Sequence, residues 1–344
     1  MKQFTRRLTG GAIAFVLLAP ALPVLAAARA TAAPVTAPTA TVRTISKTIA
    51  LRKPASLSDR WQHIQQVGYG KAVSKLGTSP GGEGLMWGPS YGVQVPNKTW
   101  WYADAAKFRL AQYSDSGKYL RQVKLPAKYL AQGVYFQWYN PMALADGTVV
   151  LSSSTIDSSA LLLLSPARVL SRVKLSRSVG LVTGDGSHLY GFDEKDRKVR
   201  VNPKTGAITT VKAFKGQGGR SFTIEVSKSV VTVTRRDVRV KLKLTAPDYP
   251  GATVHPTVEA AMAANGRLWI LLTGIAELPS GKTREVIGVL NVDAKGNVSA
   301  VSRVRTPTSQ SDPGDGKHLA VRYGDNRPTL MFIDTKAVQV YRRS

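Results

Sequence analysis

Trp100-Trp101-Tyr102-Ala103-Asp104, followed by Tyr113-Ser114-Asp115-Ser116-Gly117-Lys118, comes back 89 residues later as Leu189-Tyr190-Gly191-Phe192-Asp193 and Asn202-Pro203-Lys204-Thr205-Gly206-Ala207. Asp104 falls on Asp193, Gly117 falls on Gly206, and the preceding turn Pro96-Asn97-Lys98 falls on Asp185-Gly186-Ser187. Half of that shift is the roughly 40–50 residues of a four-stranded propeller blade. Looser copies surround the pair. Asp146-Gly147 leads Thr148 to Leu151, Asn265-Gly266-Arg267 leads Leu268 to Leu271, and Asn326-Arg327-Pro328 leads Thr329 to Ile333. Ser227-Lys228-Ser229 leads Val230 to Val233, and Asp293 to Asn297 repeats the second turn. An Asp or Asn opening with Gly soon after suits a turn closed by a residue at positive φ, which Gly adopts at little cost. Short apolar runs at regular spacing between such turns predict an all-β chain: a six-bladed β-propeller of four-stranded blades. The units start near residues 88, 139, 177, 221, 258 and 312, and part of 57–87 is expected to supply a strand that closes the ring with the last blade. The nearest approaches to a helical period are Ser56 to Gln66 and Val258 to Ala264.

Gly88-Pro89, Val93-Gln94-Val95, Asn97-Lys98-Thr99-Trp100-Trp101-Tyr102-Ala103-Asp104, Arg109-Leu110, Tyr113 and Asp115-Ser116-Gly117-Lys118 together resemble an NHL-type propeller repeat. Lys107 stands where that family usually has Asn, and Gly68-Tyr69-Gly70 with Leu76-Gly77 resembles its lead-in. The resemblance implies a propeller of a functionally diverse kind: scaffolds, peptide or RNA binders, and a few lyases. Fold alone does not choose among these.

The 344-residue chain is 43% apolar, enough for a sizeable core, and has no Cys, which excludes thiolate metal sites, disulfides and a Cys nucleophile. Lys2, Arg6 and Arg7 precede an apolar run from Ile13 to Leu25, and Ala28-Arg29-Ala30 and Ala30-Thr31-Ala32 offer small residues at cleavage spacing. This pattern predicts a signal peptide over 1–30 rather than a membrane span, which takes about 20 residues. Export follows, to an extracellular or wall-associated location, with no membrane span left after cleavage. An Ala/Thr/Pro-rich linker is expected over 31–56 and the propeller domain over 57–344. Residues 1–30 carry four cations and no acid, so their removal leaves +23 of the formal +27. A field of that size steers polyanions toward the protein.

Arg235, Arg236, Arg239, Lys241 and Lys243 are interleaved with Val238, Val240 and Leu242. A period of two puts the later cations on one face of a strand, expected to be an outer one, where they form a candidate polyanion-binding stripe. Lys195, Arg197, Lys198 and Arg200 form a second basic cluster. Tyr135, Phe136, Trp138 and Tyr139 make the densest aromatic patch, expected in a loop between blades where aromatics meet a ligand. Gly88-Pro89-Ser90-Tyr91-Gly92 has nucleophile-elbow spacing, but the strand pattern that follows argues against a catalytic Ser90. Ser280-Gly281-Lys282-Thr283 lacks the Gly a phosphate loop needs at position 276, which is Ala276, and reads as a blade loop. His63, His188, His255 and His318 have no zinc spacing, and His188 and His318 are expected as solvated residues near turns. Asp312 and Asp315 lack a full calcium-loop series. Asp104 and Asp193 are expected to bond loop amides and to pair with Arg109 and Lys198. No catalytic residue, metal or cofactor is expected. The expected protein is a monomeric, exported binding or scaffold propeller that contacts an anionic wall polymer or a protein, with nucleic acid not its physiological partner. The alternative is a propeller enzyme of the lyase or lactonase class, with its site at the channel mouth.

Overall fold

Trp100 and Trp101 are both fully buried although they are neighbours on a strand. Successive strand residues point to opposite faces, so the sheet holding them is covered on both sides. Each Trp enters a different core. Trp101 packs with Leu110, Leu151 and Leu162, and Trp100 packs with Tyr102, Met331 and Val338. A ring of blades stacked face to face satisfies this requirement for every middle strand. The computed structural model describes residues 42–54, 60–80, 86–87, 92–125, 138–154, 159–165, 167–302, 317–333 and 337–344.

Strand β1 (Arg43–Ala50) and strand β2 (Trp61–Gly68) precede a two-residue ladder of β3 (Ser79–Pro80) and β4 (Met86–Trp87). Blade 1 is β5 (Gly92–Gln94), β6 (Trp100–Asp104), β7 (Arg109–Tyr113) and β8 (Tyr119–Lys124). Blade 2 is β9 (Trp138–Ala143), β10 (Val149–Ser154), β11 (Ser159–Leu164) and β12 (Val169–Leu175). Blade 3 is β13 (Val179–Gly184), β14 (Leu189–Asp193), β15 (Lys198–Val201) and β16 (Ile208–Thr210). Blade 4 is β17 (Phe214–Lys215), β18 (Ser221–Ser227), β19 (Val230–Arg235) and β20 (Val238–Thr245), with β1 added outside β20. Blade 5 is β21 (Thr253–Met262), β22 (Leu268–Glu277), β23 (Thr283–Val292) and β24 (Val298–Ser302). Blade 6 is β25 (Lys317–Val321), β26 (Pro328–Ile333) and β27 (Ala337–Arg343), completed by β2 on its outer edge.

The chain is thus a six-bladed propeller. The 89-residue repeat is the step from blade 1 to blade 3: Asp104 and Asp193 each end the second strand of their blade. Gly117 and Gly206 hold the turn between third and fourth strands at φ 84° and 74°. Antiparallel pairing of β2 with β27 places an N-terminal strand in the last blade, so the ring is closed by the ladder itself and a sheet edge is covered. Ser227-Lys228-Ser229 does not open a blade. It is the turn between β18 and β19, with Lys228 at φ 50°.

The two stretches nearest a helical period are strand, as the all-β expectation requires: Trp61 onward is β2, and Val258 to Met262 closes β21. Their apolar spacing was met by ladder partners on β27 and β22. The linker ends earlier than composition implies. Residues 43–50 pair in parallel with β20, and Leu51, fully buried, donates its amide to the Thr245 carbonyl. The Arg52 carbonyl then accepts the Ile287 amide of β23, and Asp248 binds both the Arg52 guanidinium and the Lys53 amide, each at 2.9 Å. Residues 43–54 and 60–68 therefore run along blades 4, 5 and 6.

Candidate functional site

β20 alternates buried and exposed along its length, with Val238, Val240, Leu242 and Leu244 inside and Arg239, Lys241 and Lys243 outside. This is the one-face arrangement expected of the stripe. Two of its members and its setting are different. Arg235 is 5% exposed and donates to the Val292 carbonyl at 2.9 Å, stitching blade 4 to blade 5, so it is not a surface cation. Arg236 is exposed but sits in the turn before β20, at φ 49°. Nor is β20 an outer strand, because β1 lies beyond it.

That added strand builds a wider polar face. Directly opposed residues on neighbouring strands share a face. Thr44, Ser46 and Thr48 of β1 oppose Arg239, Lys241 and Lys243, and all six are exposed. On the inner side Thr234 opposes Arg239, and Thr232 opposes Lys241. Further in, Glu225 opposes Thr232 and meets Lys198 of blade 3 at 3.6 Å. The β1 hydroxyls were not anticipated, although Thr44, Ser46 and Thr48 alternate with Ile45, Lys47 and Ile49 as a half-buried strand should. Lys243 also lines a cavity of about 400 Å³ at the end of β20, walled by Pro247, Tyr249 and Pro250.

Two of the four cations of the second basic cluster are paired. Arg197 pairs with Asp193 at 2.8 Å and Lys198 with Glu225, so the expected Asp193–Lys198 pair is replaced by Asp193–Arg197. Arg177 also approaches Asp193 at 3.3 Å. The Arg197 side-chain bond, aided by the amides of Lys195 and Arg197, holds the Asp193 carboxyl at about 2. In blade 1 the expected pair is present: Arg109 Nε donates to Asp104 Oδ2 at 2.8 Å, and Asp104 Oδ1 accepts the Gly77 amide at 3.0 Å. The Arg109 guanidinium also donates to the Val73 and Lys75 carbonyls. These two acids hold the blades and their lead-in together.

Between blades 6 and 1, Asp115 accepts two bonds from Arg342 and one each from Trp100 and Gln94. Partial burial pushes its carboxyl up, but the Arg342 and Trp100 bonds outweigh that and leave it below the usual range.

Residues of β5, β9, β13, β21 and β25 line a cavity of about 100 Å³, with Val93, Met142, Val182 and Met262 among its apolar walls and Gln94 and Thr183 among its polar ones. Gln217 of blade 4 reaches blade 6 at the rim of this cavity, donating to the Arg322 carbonyl at 3.0 Å and accepting the Gly324 amide at 2.7 Å. The Tyr323 ring lies against Gly186 of blade 3, where a Cβ would sit 2.3 Å from it. Gly186 is therefore needed for close approach as well as for its φ of 97°. His318 is not a solvated turn residue. It lines the cavity from β25 and bonds Glu259 at 3.0 Å. Among the described residues no group of three or more His, Asp and Glu side chains is placed to share a metal ion.

The aromatic patch is only partly in view. Tyr135 and Phe136 lie outside the described residues, as do Ser90, Asp312 and Asp315. Trp138 and Tyr139 open β9, the innermost strand of blade 2, paired with Ser153 and Ser152, and so belong to the blade rather than to a loop. Ser280 to Thr283 lies at the turn from β22 to β23, with Gly281 at φ 75°, as a blade loop should.

Six closed blades with a cationic, hydroxyl-bearing face on the fourth define a β-propeller with an added edge strand. A family model described as "Domain of unknown function (DUF7485)" matches residues 59–343, and the chain belongs to that family. No curated protein matches it. Among solved structures, it is similar to a protein of unknown function from Bacteroides thetaiotaomicron, at 13% identity and TM-score 0.46, over 82% of this chain and 75% of that one. It is also similar to virginiamycin B lyase from Staphylococcus aureus, at 10% identity and TM-score 0.43, over 84% and 94%. A third is the calcium-binding protein regucalcin from Agrobacterium tumefaciens, at 10% identity and TM-score 0.40, over 86% and 96%.

Proposed function

We propose that this protein is an exported, NHL-like binding propeller that holds anionic extracellular polymer on the outer face of blade 4, without catalysis. The observation that carries the reading is the row of Arg239, Lys241 and Lys243, exposed together on one face while the intervening Val240 and Leu242 are buried. A buried alternate face fixes the strand's register, so the three cations cannot turn away from solvent together. Exposed cations in a row attract a polyanion, and each phosphate neutralised releases counterions, which makes binding fall steeply with salt.

Binding to dextran sulfate across a salt series tests the reading. Changing Arg239, Lys241 and Lys243 together to Gln should weaken binding and flatten its salt dependence while the thermal midpoint stays put, because all three side chains are in water. An unchanged salt slope in the triple variant would remove blade 4 as the binding face. Export rests on the basic start, the apolar run from Ile13 to Leu25 and the small residues around Ala30. N-terminal sequencing of protein recovered outside the cell should begin just after Ala30 or Ala32, and an intact Met1 would sink cleavage.

A further inference from the structure

We infer that the polymer held on blade 4 is a polyol phosphate, a phosphodiester chain with one charge per short hydroxylated repeat; this deepens the polyanion reading and rests on it. Arg239, Lys241 and Lys243 stand at every second residue of β20. A strand rises 3.2–3.4 Å per residue, so neighbouring cations on this face are spaced about 6.7 Å apart. The backbone spacing is held because β20 is paired on both sides, with β1 and β19, while the flexible Lys and Arg stems let the charged ends adjust around it.

Anionic polymers differ in how many bonds separate their charges. A chain covers about 3.8 Å in three backbone bonds when extended, as the Cα–Cα step shows. In poly(glycerol phosphate) six bonds run from one phosphorus to the next, so successive phosphates stand at most about 7.6 Å apart by the same measure, within about 1 Å of the cation spacing. That matches the cation row one to one. Inorganic polyphosphate has only two bonds between phosphorus atoms, so most of its charges would fall between cations.

Single-stranded nucleic acid also has six bonds per phosphate, and charge spacing does not separate it from a polyol phosphate. The rest of the face does. Single strands are held by aromatic side chains on which bases stack. The described residues of this face on β1, β20 and β19 are Thr44, Ser46, Thr48, Ala50, the three cations, Thr245, Thr232, Thr234 and Val230; no aromatic lies along the cation row, and Tyr249 stands only at its Lys243 end. Hydroxyl groups flank Arg239 and Lys241 on both sides and Lys243 on the β1 side, on strands about 4.8 Å away. Each can donate to a phosphate oxygen and accept from a polyol hydroxyl. The one acid on this face among the described residues, Glu225, lies two strands inward of the cations, beside Lys198.

The test uses the purified protein with three fluorescent probes of equal charge: an oligo(glycerol phosphate), an inorganic polyphosphate and an oligothymidylate. Oligo(glycerol phosphate) should bind tightest at 50 mM salt and lose affinity by 200 mM. In the Arg239→Gln/Lys241→Gln/Lys243→Gln variant, the slope of log affinity against log salt should be shallower by about 2, from three lost contacts at ~0.7 each. A second variant, Thr44→Val/Ser46→Ala/Thr48→Val, keeps every charge and suits an exposed strand. It should weaken oligo(glycerol phosphate) several-fold with its salt slope unchanged, and leave polyphosphate binding as it was. If polyphosphate or oligothymidylate binds tighter, and the triple Gln variant abolishes that binding, the face binds polyanions but the polyol phosphate assignment is wrong. If the hydroxyl variant binds oligo(glycerol phosphate) like wild type, the assignment is also overturned. If none of the probes binds at low salt, the polyanion reading itself fails.

Discussion

Replacing Arg109 with Leu should cost the protein about 3–5 kcal/mol of stability, the range for removing one partner of a buried ion pair. Arg109 is 2% exposed and Asp104 is fully buried, so the carboxylate left behind has no water to turn to. The loss extends beyond the pair. The Val73 carbonyl loses its donor and the Lys75 carbonyl one of its two, and with them part of the attachment of the lead-in segment to blade 1. Chemical denaturation of wild type and variant measures this, and a cost below about 1 kcal/mol, the scale of a surface pair, would contradict it. Replacing both residues, as Asp104→Leu/Arg109→Leu, should not restore wild-type stability. A simple buried ion pair can be exchanged for apolar groups without loss. Here the Gly77 amide and the Val73 carbonyl would still lose their partners, while the Lys75 carbonyl would keep Lys107.

Leu51→Ala should cost about 2–5 kcal/mol, as large-to-small changes at buried Leu do. Leu51 is fully buried in the core shared by blades 3 to 5, beside the backbone bond to Thr245 that ends the β1 ladder. It anchors residues 43–54 at the point where the chain leaves blade 4 for blade 5. The expected readout is a lower denaturation midpoint, with faster proteolysis within residues 43–54 as that segment opens. A cost under about 1 kcal/mol would mean that these residues behave as the linker their composition suggests. The Arg109 and Leu51 sites lie on different blades and share no partner among the described contacts, so their effects should add.

Much of the fold was legible because its signals are local. A turn closed by Gly117 or Gly206 needs positive φ whatever surrounds it, and the 89-residue recurrence of Asp104 and Gly117 reports a repeated blade. The cation row was legible for the same reason: alternation along β20 places Arg239, Lys241 and Lys243 together before any partner strand is known. The run from Trp61 to Gln66 comes nearest a helical period because a short amphipathic run is ambiguous until its ladder partner is supplied, here by β27, nearly the whole chain away.

The sequence by itself determined the propeller class, the near-repeat of blades and the sidedness of β20, since these follow from residue type at fixed spacing. Only the tertiary structure decided that Arg235 is a buried strut between blades while Arg239 is a surface cation, because that depends on the Val292 carbonyl 57 residues away. It likewise decided that Asp193 pairs with Arg197, and that residues 43–50 widen blade 4. Thr44, Ile45, Thr48 and Ile49 are β-branched and favour an extended chain, but a lone edge segment has no partner of its own. It became a strand because β20 offered an unpaired row of amides and carbonyls, and Ile49 and Leu51 found a core to enter.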